Sequence, residues 1–155
     1  MSAEKAKKKT QAKRTATAQG ICVKVAGIPP EGMQFRQEFD ASLLDLDIEE
    51  IHVASPILLD AQVYKCTDTV TIEAHIETRA KMTCGRCLER YENTVASDVR
   101  LNYSIDSQTQ MLDLTEDIRQ EIILQYPMKA LCTSACKGLC AHCGENLNLG
   151  HCRCK

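Results

Sequence analysis

The sequence has no tryptophan, two phenylalanines and four tyrosines in 155 residues. Aromatic side chains therefore supply little of the buried area, and any core must rest on aliphatic residues. No apolar run approaches the roughly 20 residues that a helix needs to cross a bilayer, so a membrane is not an expected partner. The amino-terminal stretch lacks the apolar centre of a secretory signal, and its sparse Ser and Arg do not suit a transit peptide. A reducing cytoplasm is the expected compartment. There is no Ser/His/Asp set, no glycine-rich phosphate loop and no discernible metal site with an open position. Neither an enzyme nor a small-molecule substrate is expected.

Cysteine, by contrast, is abundant, with ten in the chain. Six lie in the last stretch, residues 131–154: Cys132, Cys136, Cys140, Cys143, Cys152 and Cys154. Cys84 and Cys87 form a separate CxxC more than forty residues upstream. Close-set pairs in a chain of a reducing compartment point to metal rather than to disulfides or a redox pair. Two intervening residues let both sulfurs face one ion, and a second such turn completes a tetrahedron. The Cys140/Cys143 pair and the Cys152/Cys154 pair make one local set of four, which leaves Cys84, Cys87, Cys132 and Cys136 as another. The competing partition joins Cys84 and Cys87 to a different subset of the tail, or uses a single ion. All-thiolate closed sites suit structural zinc, so two zinc ions are expected, although iron or an iron–sulfur cluster takes the same ligand type. His142 and His151 flank ligand cysteines and are of a type that can substitute as ligands, but the eight cysteines already fill both sites. His52 and His75 fall in strand contexts and are expected to be structural or surface residues. Cys22 and Cys66 are expected to be buried small apolar residues.

Residues 1–18 carry almost no apolar side chain beyond Ala and read as a disordered basic arm. Gly20–Val25 alternates like a short strand, 28–32 is a turn, and Gln34–Phe39 a second strand; 43–48 mixes periods and is left unassigned. Pro56–Tyr64 is a further strand, and Thr69–Glu77 begins one that runs on to Met82 and delivers Cys84 at its end. Tyr91–Ile105 alternates again, with Val99, Leu101 and Tyr103 on one side, so the first CxxC caps a hairpin. Asp113 and Glu116 resemble a capping box opening a helix over roughly 114–125, with Leu114, Ile118, Ile122 and Gln125 on one face and Pro127 as its stop. No internal repeat is visible. The expected fold is α+β, an antiparallel β-sheet with one main helix and a carboxyl-terminal zinc-ribbon-like cysteine module. Its expected parts are the arm (1–18), a β-rich domain with the CxxC hairpin (19–112), and the helix with the cysteine module packed on it (113–155).

Charge is divided unevenly along the chain. Residues 1–14 hold six basic side chains against one acid, which leaves thirteen basic and twenty acidic residues after them, a formal −7. Lys7, Lys8, Lys9, Lys13 and Arg14 of the arm suit RNA phosphates, as do Arg86, Lys137 and Arg153 beside the cysteines. The bland reading of the arm is a solvated tail. The cations near the cysteines equally suit charge compensation, since each four-thiolate zinc site carries an excess charge of about −2.

The residues Cys84-Gly-Arg-Cys87-Leu88, Asp113-Leu114, Glu121-Ile-Ile-Leu124 and Pro127, followed by the string CKGLCxxCGxNLN and Cys152-x-Cys154, resemble the large ribosomal RNA subunit accumulation (YceD) family. The resemblance covers about residues 20–155, and Ala141 stands where many relatives place Pro. It implies a non-enzymatic role in accumulation or maturation of large-subunit (23S) ribosomal RNA, with precursor RNA or a basic ribosomal protein as partner. Two other readings compete: a zinc-stabilised interaction adaptor unrelated to ribosomes, and a redox or metal-handling protein.

Overall fold

The structure, a computed structural model, describes residues 20–53 and 55–154. The expected basic arm, with Lys7, Lys8, Lys9, Lys13 and Arg14, lies outside the described residues.

The longest strands form the spine. Following the chain, the strands are β1 (Cys22–Lys24), β2 (Met33–Phe39), β3 (Ile51–Val53), β4 (Ile57–Cys66), β5 (Thr69–Thr83), β6 (Arg90–Ser104) and β7 (Met111–Asp113), and α1 spans Thr115–Leu124. β5 and β6 pair antiparallel over their full length, Thr69 opposite Ser104 and Thr83 opposite Arg90. The period-two pattern of β5 puts Val70, Ile72, Ala74, Ile76, Ala80 and Met82 on one buried face. Along the other edge of β5 lie β4, with Leu59 opposite Ile76, and then β3, with Ile51 opposite Met82. β2 pairs with β4 and completes a five-stranded antiparallel sheet.

β3 and β4 are two pieces of one broken edge, separated at Pro56, which has no N–H to give to a ladder. A side chain mends the gap: Ser55 Oγ accepts the Arg79 N–H at 2.8 Å, and the buried Thr78 hydroxyl donates to the Ser55 carbonyl at 3.2 Å. The Pro56–Tyr64 strand is therefore present, shifted to start one residue later, while β3 is an element that alternation alone does not separate.

α1 lays Ile118 and Ile122 onto the sheet, with Leu114 at the position just before the helix, and these three are almost fully buried. Gln125 is exposed and does not extend this face; the half-buried Tyr126 does, its hydroxyl donating to the Leu46 carbonyl at 3.0 Å. The expected capping box is not formed. Helix α1 starts at Thr115, one residue too late for Asp113 to be its N-cap, and the Asp113 carboxylate accepts the Thr115 N–H at 2.9 Å. Glu116 instead accepts from Gln120 within the helix at 3.1 Å. The same start is sealed by β1, which pairs with β7, Val23 opposite Leu112, and by the Leu114 N–H donating to the Ile21 carbonyl at 2.7 Å.

The unassigned stretch is irregular but firmly held. Leu44 and Leu46 are buried, and the Arg119 guanidinium donates to the Leu44 carbonyl at 2.9 Å. Cys22 and Cys66 are exposed, contrary to the expectation of burial. Cys22 lies between the buried Ile21 and Val23, so the pleat points it outward, and Cys66 has the outward parity at the end of β4.

Candidate metal centre

Cys84 follows immediately after β5 and Cys87 sits in the tight turn that returns the chain to β6. The turn is closed by the Cys84 N–H donating to the Glu89 carbonyl and the Leu88 N–H donating to the Cys84 carbonyl, both at 2.9 Å. Leu88 takes a left-handed φ of 59° to make it. Both sulfurs turn inward, where Tyr91, Leu131 and Leu139 cover them in a small cluster. Tyr91 also packs against the main core, so the cluster continues the sheet's interior.

The tail docks onto this turn through backbone groups and one guanidinium. The Gly85 N–H donates to the Ala130 carbonyl at 2.8 Å, the Leu139 N–H to the Arg86 carbonyl at 3.1 Å, and the Arg86 guanidinium to the Cys136 carbonyl at 2.9 Å. Gly138 makes the approach possible. Its φ is +78°, and a Cβ added there would lie 3.1 Å from the Arg86 carbonyl oxygen. The result brings Cys84 and Cys87 to Cys132 and Cys136, with all four sulfurs within 4.8 Å of one another.

The second group is local. Cys140, Cys143, Cys152 and Cys154 also have their sulfurs within 4.8 Å of one another. Its first turn repeats that of the hairpin: the Cys140 N–H donates to the Glu145 carbonyl at 2.8 Å, the Gly144 N–H to the Cys140 carbonyl at 2.9 Å, and Gly144 has a φ of 75°. The first group is mostly buried, whereas Cys143 and Cys154 of the second are exposed.

The spacings suit an ion. A regular tetrahedron with metal–sulfur bonds of about 2.3 Å has edges of about 3.8 Å. Cys84 and Cys136 are 3.8 Å apart, Cys87 and Cys132 3.6 Å, and Cys143 and Cys152 3.7 Å. A disulfide requires about 2.05 Å, and all ten cysteines are free thiols. The two clusters are thus positioned to bind one metal ion each.

Backbone N–H groups polarise the sites. Those of Cys132 and Cys87 pull the Cys84 thiol down to about 6, and those of Cys143 and His142 do the same for Cys140. At Cys87 the Glu89 N–H acts in the same sense, but burial and the sulfurs of Cys84, Cys132 and Cys136 prevail and push it up to about 12. Cys154 is raised to about 12, first by Cys143 and then by burial. In the first group the Asn148 amide also holds the Cys136 thiol below its usual range. Without a cation, then, the readily ionised sulfurs oppose ionisation of their neighbours, and a divalent ion reverses that balance.

Of the candidate contact residues, Arg86 is engaged with Cys136, whereas the side chains of Lys137 and Arg153 are exposed. His142 and His151 are exposed and belong to neither sulfur group; His52 and His75 are exposed beside Asp47 and Asp98. Asn148 has a role that cysteine spacing does not reveal. Its amide donates to the Cys136 sulfur at 3.3 Å and its carbonyl oxygen accepts the Lys137 N–H at 2.8 Å. The signal was the Asn146-Leu147-Asn148 run, which has no ligand to offer and so needed another use.

Among known proteins, an uncharacterized protein of Mycobacterium leprae is 27% identical over 67% of this chain and 55% of its own length. Large ribosomal RNA subunit accumulation protein YCED homolog 1, chloroplastic, of Arabidopsis thaliana is 44% identical over 28% of this chain and 13% of its own length. The Zea mays protein of the same name is 44% identical over 28% of this chain and 15% of its length. The chain thus spans about half or less of the length of these curated relatives. No solved structure matches it. Residues 72–155, more than half of the chain and including both sulfur groups, match the sequence model of the large ribosomal RNA subunit accumulation protein YceD family, and the chain belongs to that family.

Proposed function

We propose that the chain is a non-enzymatic factor supporting accumulation of large-subunit (23S) ribosomal RNA, in which two structural zinc ions brace the contact module. The observation that carries this reading is the extent of the family match, which runs from β5 through both sulfur groups to the carboxyl end. Cys84, Cys87, Cys132 and Cys136 would hold one ion, and Cys140, Cys143, Cys152 and Cys154 the other. Zinc bound there supplies a compensating dication and an apparent binding free energy of roughly 10–16 kcal/mol, comparable to the net stability of a domain. Closed four-sulfur coordination leaves no position for a reacting water, which favours bracing over hydrolysis.

Two partner chemistries fit the charge distribution. Residues 15–155 carry a formal −7, which favours a basic ribosomal protein, and the six cations of residues 1–14 favour RNA phosphates. The exposed Lys137 and Arg153 would add phosphate contacts beside the metal sites. Among the described residues no helix is long and apolar enough to cross a membrane.

Sedimentation of a lysate tests the reading. The protein should travel with precursor large-subunit particles, and crosslinking in those fractions should attach it to their RNA or to a basic ribosomal protein. A profile confined to the top of the gradient, with no such crosslinks, would overturn it.

A further inference from the structure

We infer that Asn148 couples the two metal sites, so that filling the Cys140 site strengthens the hold of the Cys84 site on its own ion. This rests on the reading of both sulfur groups as metal sites and goes beyond it by making them interdependent.

The coupling follows from chain order. Asn148 lies between Cys143 and Cys152, inside the loop that the second group closes, yet its side-chain amide donates to the Cys136 sulfur of the first group at 3.3 Å. Its carbonyl oxygen accepts the Lys137 N–H at 2.8 Å, which fixes the residue following Cys136. The loop has few other ties to the first group. The Leu147 N–H donates to the Gly138 carbonyl at 2.9 Å, and Leu139 and Asn146 form an isolated bridge. Asn146 in turn aims the asparagine: its Oδ1 accepts the Asn148 backbone N–H at 3.0 Å and the Asn148 amide at 2.8 Å.

With the second group filled, both ends of this loop are pinned, at Cys143 and at Cys152, and Asn148 is held against the sulfur. With it empty, those anchors are gone and the amide must be ordered at the moment the first ion binds. An N–H donated to a metal-bound thiolate stabilises its negative charge and fixes its direction. Loss of an outer contact of this kind lowers metal affinity about 10–100-fold. Binding linkage is reciprocal, so filling the first site must strengthen the second by the same factor.

The test measures Zn2+ retention by the full chain in a graded chelator competition followed by native mass spectrometry. Alkylation and peptide mapping of the released thiols identify which group has opened. Asn148→Ala should weaken the Cys84 group about 10-fold. Cys152→Ser combined with Cys154→Ser should weaken it by a similar factor, and adding Asn148→Ala to that pair should cause little further loss. Asn148→Asp separates coupling from simple backbone support, because it retains an acceptor for Lys137 and replaces the donor facing Cys136 with a negative oxygen. It should weaken the Cys84 group at least as much as Asn148→Ala. Wild-type retention at the Cys84 group in either Asn148 variant, or in the Cys152/Cys154 variant, overturns the coupling while leaving both metal sites standing. A wild-type chain that retains no Zn2+ would overturn both.

Discussion

Leu88 and Gly144 occupy the same position in two copies of one turn. Each follows the second cysteine of a CxxC pair, each donates its N–H to the carbonyl of the first cysteine at 2.9 Å, and their φ angles are 59° and 75°. The left-handed region costs a residue with a Cβ roughly 1–2 kcal/mol. A Cβ at Gly144 would meet nothing within 4 Å, so its replacement carries a conformational cost alone. Gly144→Ala should therefore lower the stability of the metal-loaded chain by about 1 kcal/mol. Leu88→Gly should leave it unchanged or slightly higher, since Leu88 is largely exposed. Urea unfolding midpoints measured at saturating zinc check both.

Gly138 faces a harder constraint, because its left-handed φ of 78° is joined to a backbone contact of 3.1 Å from its would-be Cβ to the Arg86 carbonyl oxygen. Gly138→Ala should cost about 2–3 kcal/mol and loosen the docking of the tail on the hairpin. Faster hydrogen exchange at the Leu139 amide, which donates to that same carbonyl, would report it.

Much of this architecture was legible in the residues. Val70, Ile72, Ala74 and Ile76 alternate strictly, so the long strand that delivers Cys84 could be read directly, and CxxC spacing marked its tip. The exposure of Cys22 was implicit in the same rule, since inward Ile21 and Val23 leave Cys22 pointing out. Other features depend on partners remote in sequence. β1 and β7 are three residues each and exist because they pair with one another across the chain. Helix α1 opens one residue later than its sequence signature because Ile21 and Thr115 form the seal, Ile21 donating its N–H to the Thr115 hydroxyl at 2.8 Å. The likeness between the two turns is hidden in sequence because Leu88 takes a role that Gly144 fills in the other.

The irregular stretch before β3 is held by Arg119 of α1 at the Leu44 carbonyl and by Tyr126, just past the helix, at the Leu46 carbonyl. Leu44 and Leu46 are both nearly fully buried. Leu46→Ala should cost about 3 kcal/mol through lost burial and a residual cavity. Tyr126→Phe, which removes only the hydroxyl that bonds the Leu46 carbonyl, should cost about 1 kcal/mol. Equilibrium unfolding of the two variants should reproduce that order.

The metal-free chain should show its own pH dependence. Cys84 and Cys140, lowered from 9.0 to about 6 by backbone N–H groups, contribute stability present above pH 9 and lost as pH falls towards 6. Cys87 and Cys154, raised to about 12, contribute stability present below pH 9 and lost as pH rises towards 12. With a chelator present, the urea midpoint should therefore peak near pH 9. With zinc bound, acidification should instead release metal as protons compete for the thiolates.

The most direct test of the central claim is the number of zinc ions bound by the wild-type chain and by the Cys84→Ser/Cys87→Ser double variant, counted by native mass spectrometry. Two ions are expected in the wild type and one in the variant, with the remaining ion held by the Cys140 group. A wild-type chain holding one ion, or a variant that keeps two, would contradict the convergence of hairpin and tail on a shared metal.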